Sequence, residues 1–146
     1  MTKTCAGVVA ARRIARATLR EVWTMAVLAL DHLQLAIPPG GETLARTFYG
    51  DLLGLAEIAK PESLAGRGGC WFVLGAVQFR LGVENEFRPA RKAHPAFEVG
   101  DLAKMGARLT RAGAPIEEAV ALAGWSRLYT ADPFGNRIEL IQRVSG

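Results

Sequence analysis

The feature that most narrows the fold is a series of elements that occurs twice. From Met25 onward, alternation and turn residues predict a strand over Ala26–Ile37 and a helix from Glu42 to Leu53, stopped by Gly54. Strands follow over Leu55–Ala59, Cys70–Leu74 and Ala76–Glu84, with Pro61–Gly69 as a loop or a lid. After a polar, basic loop over Asn85–Ala93 the series runs again. It gives a strand His94–Val99, a helix capped by Asp101 and stopped by Gly113, and strands Pro115–Ala119, Trp125–Thr130 and Arg137–Arg143. The run DPFGN, Asp132 to Asn136, is a turn by composition. Two βαβββ modules, about residues 28–84 and 93–143, make an α+β fold with helices packed on one face of the strands.

The duplication also aligns polar residues. The only two histidines, His32 and His94, open the first strand of each half, 62 positions apart. Gln78 and Glu139 lie in the last strand of each half, 61 positions apart. Side chains alternate along a strand, so His32, Gln34 and Ala36 share one face and Leu33, Leu35 and Ile37 the other. By the same period Gln78 and Arg80 oppose Val77, Phe79 and Leu81, and Arg137 and Glu139 oppose Ile138 and Leu140. The apolar faces can pack on the helices, which leaves two imidazoles, a carboxylate and a neutral amide on the other faces. Such donors suit zinc, nickel, cobalt, manganese or iron; two His and one carboxylate alone make a facial triad with open positions. Each residue taken singly has a plainer reading as a solvated or hydrogen-bonded side chain.

Charge excludes one class of partner. The formal net charge of +4 belongs to residues 1–24, where Lys3, Arg12, Arg13, Arg16 and Arg20 face Glu21 alone. The other 13 basic and 13 acidic residues cancel, so the domain is not read as a nucleic-acid binder. Residues 1–24 form a basic extension ahead of a single domain over 25–146. As a helix the extension aligns Arg12, Arg16 and Arg20 for an anionic membrane or a partner; otherwise it is an appended segment ahead of a start at Met25. No transmembrane run occurs, and two lone cysteines, Cys5 and Cys70, fit a reducing, cytoplasmic setting.

Four stretches carry a family resemblance: Asp31-His-Leu-Gln-Leu-Ala36, Arg46-Thr-Phe-Tyr-Gly-Asp-Leu-Leu-Gly-Leu55, His94-Pro-Ala-Phe-Glu-Val99 and Asp132-Pro-Phe-Gly-Asn-Arg-Ile-Glu139. Over about residues 28–143 the chain resembles the vicinal oxygen chelate superfamily, the glyoxalase, bleomycin-resistance and extradiol-dioxygenase group. The resemblance implies paired modules forming a cupped mixed sheet around one divalent metal. It places ligands on His32, Gln78, His94 and Glu139, a set like that of methylmalonyl-CoA epimerases. Bacterial glyoxalase I has a glutamate where this chain has Gln78, whereas fosfomycin-modifying and extradiol enzymes use only the His, His and Glu positions. It further implies a homodimer and a small-molecule substrate.

The reaction expected from this set is isomerase or lyase chemistry through an enolate, with Glu139, loosened from the metal in the complex, as the base that removes a proton beside a carbonyl. A drug-sequestering, bleomycin-resistance-like binder and an extradiol dioxygenase are the alternatives. Arg80 shares the face of Gln78 and is a candidate for substrate binding, as are Arg88 and Arg91 in the basic loop. Trp71 and Tyr129 are candidates for an apolar lining.

Overall fold

The computed structural model describes residues 26–144. The chain divides into two compact units between Leu30 and Asp31. Residues 26–30 have no regular structure apart from a bend at Ala26, and the basic extension read over residues 1–24 lies outside the described residues, as does Cys5.

The second unit holds both modules. The first comprises β1 (His32–Ile37), α1 (Glu42–Ala45) continued by a π-helical turn (Arg46–Leu52), β2 (Ala56–Ile58), a 3-10 turn (Glu62–Arg67), β3 (Cys70–Leu74) and β4 (Val77–Val83). The second comprises β5 (Ala96–Glu98), α2 (Leu102–Arg111), β6 (Glu117–Glu118), β7 (Trp125–Ala131) and β8 (Arg137–Arg143). The strands form two four-stranded sheets of the same order, β1-β4-β3-β2 and β5-β8-β7-β6. In each the first strand runs parallel to the last, β1 with β4 and β5 with β8, and the other pairs are antiparallel.

Several boundaries differ from the sequence reading, each for a local reason. β1 begins at His32 rather than Ala26, where pairing with Gln78 of β4 begins. β5 begins at Ala96, because Pro95 has no N–H to give a ladder; its carbonyl still accepts from Glu139 N–H at 3.0 Å. The first helix relaxes into wider turns, with Leu53 N–H bonding to Phe48 C=O at 2.9 Å instead of four residues back. The segment read as a loop over Pro61–Gly69 contains the 3-10 turn. Gly54 and Gly113 end the helical segments with φ of +82° and +76°, as their glycines predict.

One core serves both modules. Tyr49 lies 5.0 Å from Phe79, ring centre to ring centre, and Phe79 meets Phe97 of the other module edge-on at 5.2 Å. Ile37, Phe72, Leu81, Leu109, Ile138 and Leu140 also belong to it, all nearly fully buried. Alternation then turns the opposite face of each sheet outward, away from the shared core.

The DPFGN turn fastens the modules together. Asp132, itself buried, accepts from the Tyr49 hydroxyl at 2.8 Å, from Asn136 Nδ2 at 2.8 Å, and from the backbone N–H groups of Phe134 and Asn136. Asn136 Nδ2 also donates to the Ala36 carbonyl of β1, and its Oδ1 accepts from Ala90 N–H, both at 2.9 Å. A short polar turn thus ties the π-helical segment, β1 and the inter-module loop to β8. Burial and the neighbouring Asp132 carboxylate push the Tyr49 hydroxyl well above the usual range.

Candidate metal centre

On the outer face of the second sheet, Glu139 projects from the middle of β8 and is only 8% exposed. Both its oxygens are engaged. Oε2 faces His94 Nε2 at 3.0 Å, and Oε1 accepts from Arg127 Nη1 at 2.9 Å. The other imidazole nitrogen, Nδ1, lies 2.8 Å from the Lys92 carbonyl. Tyr129, paired with Glu139 across β7 and β8, packs edge-on against the His94 ring at 5.4 Å. Arg137 lies over the Tyr129 ring at 3.7 Å.

This pair suits a cation. Both nitrogens of His94 face oxygen acceptors, so the pair accommodates positive charge between His94 and Glu139, carried by a proton or by a metal ion. The carbonyl on Nδ1 fixes the ring and directs Nε2 toward Glu139, the usual support for a metal-bound histidine. Two donors 3.0 Å apart are within reach of one ion whose bonds are about 2.1 Å.

The outer face of the first sheet carries the remaining candidate ligands. His32 Nδ1 is 2.8 Å from Asp31 Oδ2, which orients the imidazole and holds the Asp31 carboxyl below its ordinary value. Gln78 pairs with His32 in the parallel ladder. Its amide oxygen accepts from Arg80 twice, from Nε at 3.0 Å and from Nη2 at 2.8 Å. Arg80 stacks on Trp71 at 3.8 Å and approaches Asp31 at 3.7 Å.

The register revises the internal match between the halves. Leu35, three residues after His32, pairs with Leu81; Phe97, three residues after His94, pairs with Leu140. With the histidines as equivalents, Arg80 holds the place that Glu139 holds in the other half, and Gln78 corresponds to Arg137. The spacing in sequence had matched Gln78 with Glu139. A slip of two residues returns each side chain to the same face, so alternation alone does not detect it.

The residues read from sequence therefore fall into two groups. Glu139, His94 and Tyr129 come together, and so do His32, Gln78, Arg80 and Trp71. The groups do not merge: among the described residues no three His, Cys, Asp or Glu side chains converge as metal ligands. Arg91 is exposed and lines a cavity of about 300 Å³ with Tyr129 and Arg137; Arg88 is exposed on the loop before β5. Sequence reasoning missed Arg127, although it lies on the strand between Trp125 and Tyr129 and shares their face. It also missed Asp31, whose signal was its place beside His32. Cys70 is a buried free thiol pushed up to about 11, chiefly by burial, and lies in the core.

Residues 29–140 match the model of the Glyoxalase/Bleomycin resistance protein/Dioxygenase superfamily. Among solved structures, a glyoxalase family protein from Bacillus anthracis is 43% identical, with a TM-score of 0.77 over 82% of this chain and 98% of that one. A lactoylglutathione lyase from Agrobacterium tumefaciens is 19% identical, with a TM-score of 0.62 over 80% of this chain and 95% of that one. A fosfomycin resistance protein from Listeria monocytogenes, in a variant complexed with Mn(II) and 1S,2S-dihydroxypropylphosphonic acid, is 14% identical, with a TM-score of 0.69 over 82% and 95%. The last two share the fold. No curated protein matches the chain. Among the described residues no helix is long and apolar enough to cross a membrane.

Proposed function

Because the chain belongs to the Glyoxalase/Bleomycin resistance protein/Dioxygenase superfamily, we propose that it is a divalent-metal-dependent enzyme acting on a small oxygen-chelating substrate. The observation that carries this reading is the His94–Glu139 pair, with both imidazole nitrogens set against oxygens. His94 and Glu139 of one copy and His32 of a second copy hold the ion. Gln78 joins them only by giving up its two bonds to Arg80. Zinc, nickel, cobalt, manganese and iron all suit these donors.

A second copy is needed because the shared core turns the two half-sites outward. The His32 side chain is 40% exposed and Val73, on the same outer face, is 38% exposed, which leaves a surface for the other copy to cover.

A bound divalent ion supplies Lewis acidity to two neighbouring substrate oxygens. The chain's own residues do the rest. The Glu139 carboxylate takes a proton from the carbon beside a substrate carbonyl and returns it, which is isomerase or lyase chemistry. Arg127 fixes the carboxylate from the side opposite His94, and Tyr129 packs against the ring, so the base is held in one orientation. The bonds between Arg80 and Gln78 favour a three-ligand centre and keep oxygen-dependent ring cleavage as a second reading; oxygen uptake by iron-loaded protein distinguishes it.

The test measures metal content and oligomeric state of protein purified without chelator. About one ion per chain is expected, retained in Gln78→Ala and lost in His94→Ala and His32→Ala, with the protein dimeric. No metal uptake from any of the five ions, or full loading of a monomer, overturns the proposal.

A further inference from the structure

We infer that a cavity on the outer face of the first sheet binds a phosphate-like dianion, the charged group of the substrate. The cavity, about 290 Å³, lies between the 3-10 turn and strands β3 and β4. Lys60, Arg67 and Arg80 line it, together with Trp71 and Gln34, and no carboxylate is among its lining residues. Partly buried Lys60 and Arg80, with the exposed Arg67, give this small volume a positive field that a bound anion relieves. A singly charged carboxylate neutralises one cation; a dianion with several acceptor oxygens answers more of the field and more of the donors.

The walls are set for this. Arg80 is held flat on the Trp71 ring at 3.8 Å and braced against Gln78, so its guanidinium is ordered before any ligand arrives. Lys60 donates to the Gly68 carbonyl at 2.5 Å, which holds the 3-10 turn beside the cavity. Two carboxylates stand nearby without lining the cavity. Glu42 accepts from Gly69 N–H at 2.9 Å, and Asp31 faces His32 and pairs with Arg80 at 3.7 Å from a side chain that is 81% exposed, so solvent screens most of that attraction. Internal symmetry adds a separate argument. At the place where the second half carries the carboxylate of Glu139, the first half carries a guanidinium, so the charge offered there is inverted. Gln78 and Arg80 are two residues apart on one strand face, about 7 Å. A substrate of a few bonds therefore spans from the ligand His32, which pairs with Gln78, to this cavity.

The role as a substrate site rests on the proposed function, but the binding does not. It is tested by titrating chelator-treated protein with inorganic phosphate at constant ionic strength and following tryptophan fluorescence, with acetate and chloride as comparison anions. Saturable binding is expected, at least tenfold tighter for phosphate than for acetate. It should be weakened at least tenfold in Arg80→Gln and in Lys60→Gln/Arg67→Gln, whose thermal unfolding checks that they fold. Trp71→Phe should keep the binding, read by calorimetry, and lose the fluorescence change. Phosphate binding that is absent, no tighter than acetate, or untouched by these variants overturns the inference. Metal loading is measured separately, so the two proposals fail independently.

Discussion

Replacing Tyr49 with phenylalanine removes one hydroxyl from the buried cluster that joins the modules, and its effect can be worked out in advance. The hydroxyl donates to Asp132 Oδ2 at 2.8 Å, and Asp132 keeps three other donors, Asn136 Nδ2 and two backbone N–H groups. A hydrogen bond to a charged group contributes about 1.5–3 kcal/mol. With three donors left, the loss should sit near the lower end, lowering the melting temperature by about 5–10 °C in a domain of this size. The pH dependence gives a second signature. The hydroxyl's folded-state pKa lies above its ordinary value of 10.0 because burial and the Asp132 carboxylate disfavour the phenolate. The folded state therefore keeps a proton that the unfolded chain loses. The stabilisation is complete below about pH 10 and disappears as pH rises beyond it. Cys70, pushed from 9.0 to about 11, adds a loss of the same sign from lower pH, so the comparison belongs in a Cys70→Ala background. Urea unfolding at pH 7 and through the alkaline range should show the phenylalanine variant weaker at pH 7 and flatter at high pH. Equal stability at pH 7, or an unchanged alkaline slope, would refute the role assigned to this bond.

Two further substitutions test backbone and acid-side features. Gly69→Ala should unfold most of the protein, because a Cβ there meets the Leu81 carbonyl oxygen at 2.1 Å with φ at +77°; soluble yield and circular dichroism read the result. Glu42→Gln should flatten the acid limb of the stability curve. The Gly69 N–H holds the Glu42 carboxyl below its ordinary 4.5, so its contribution is present above that pH and lost as pH falls through the folded value.

Much of the fold was legible because strands write their two faces directly into the sequence. β3 and β8 have the bounds read from alternation, and the inward residues Phe79, Leu81, Ile138 and Leu140 lie in the core. The helix of the second module was readable from Asp101, whose side chain accepts from Lys104 N–H at 2.9 Å, and from Gly113. Less legible was anything that depends on pairing. The equivalence of Arg80 with Glu139 follows from which residue lies across from which, and a count along the chain misses it by one strand repeat. The π-helical turn has no periodic signal of its own. Arg127 lies between two aromatic residues on β7, and alternation along that strand puts it on the outward face with Tyr129, where it reaches Glu139. The distribution of the candidate ligands between two outward faces depends on how the apolar faces meet, which alternation leaves open.

The back-to-back attachment of the modules through Asp132 and Asn136 has a genetic consequence on the two-copy arrangement proposed above. Each active centre draws His32 from one copy and His94 with Glu139 from the other. A chain defective in its first module and a chain defective in its second are each inactive alone. Mixed in one cell, they form a heterodimer in which one centre collects both lesions and the other collects none. Two dead alleles of this one gene, His32→Ala and His94→Ala, should therefore complement each other.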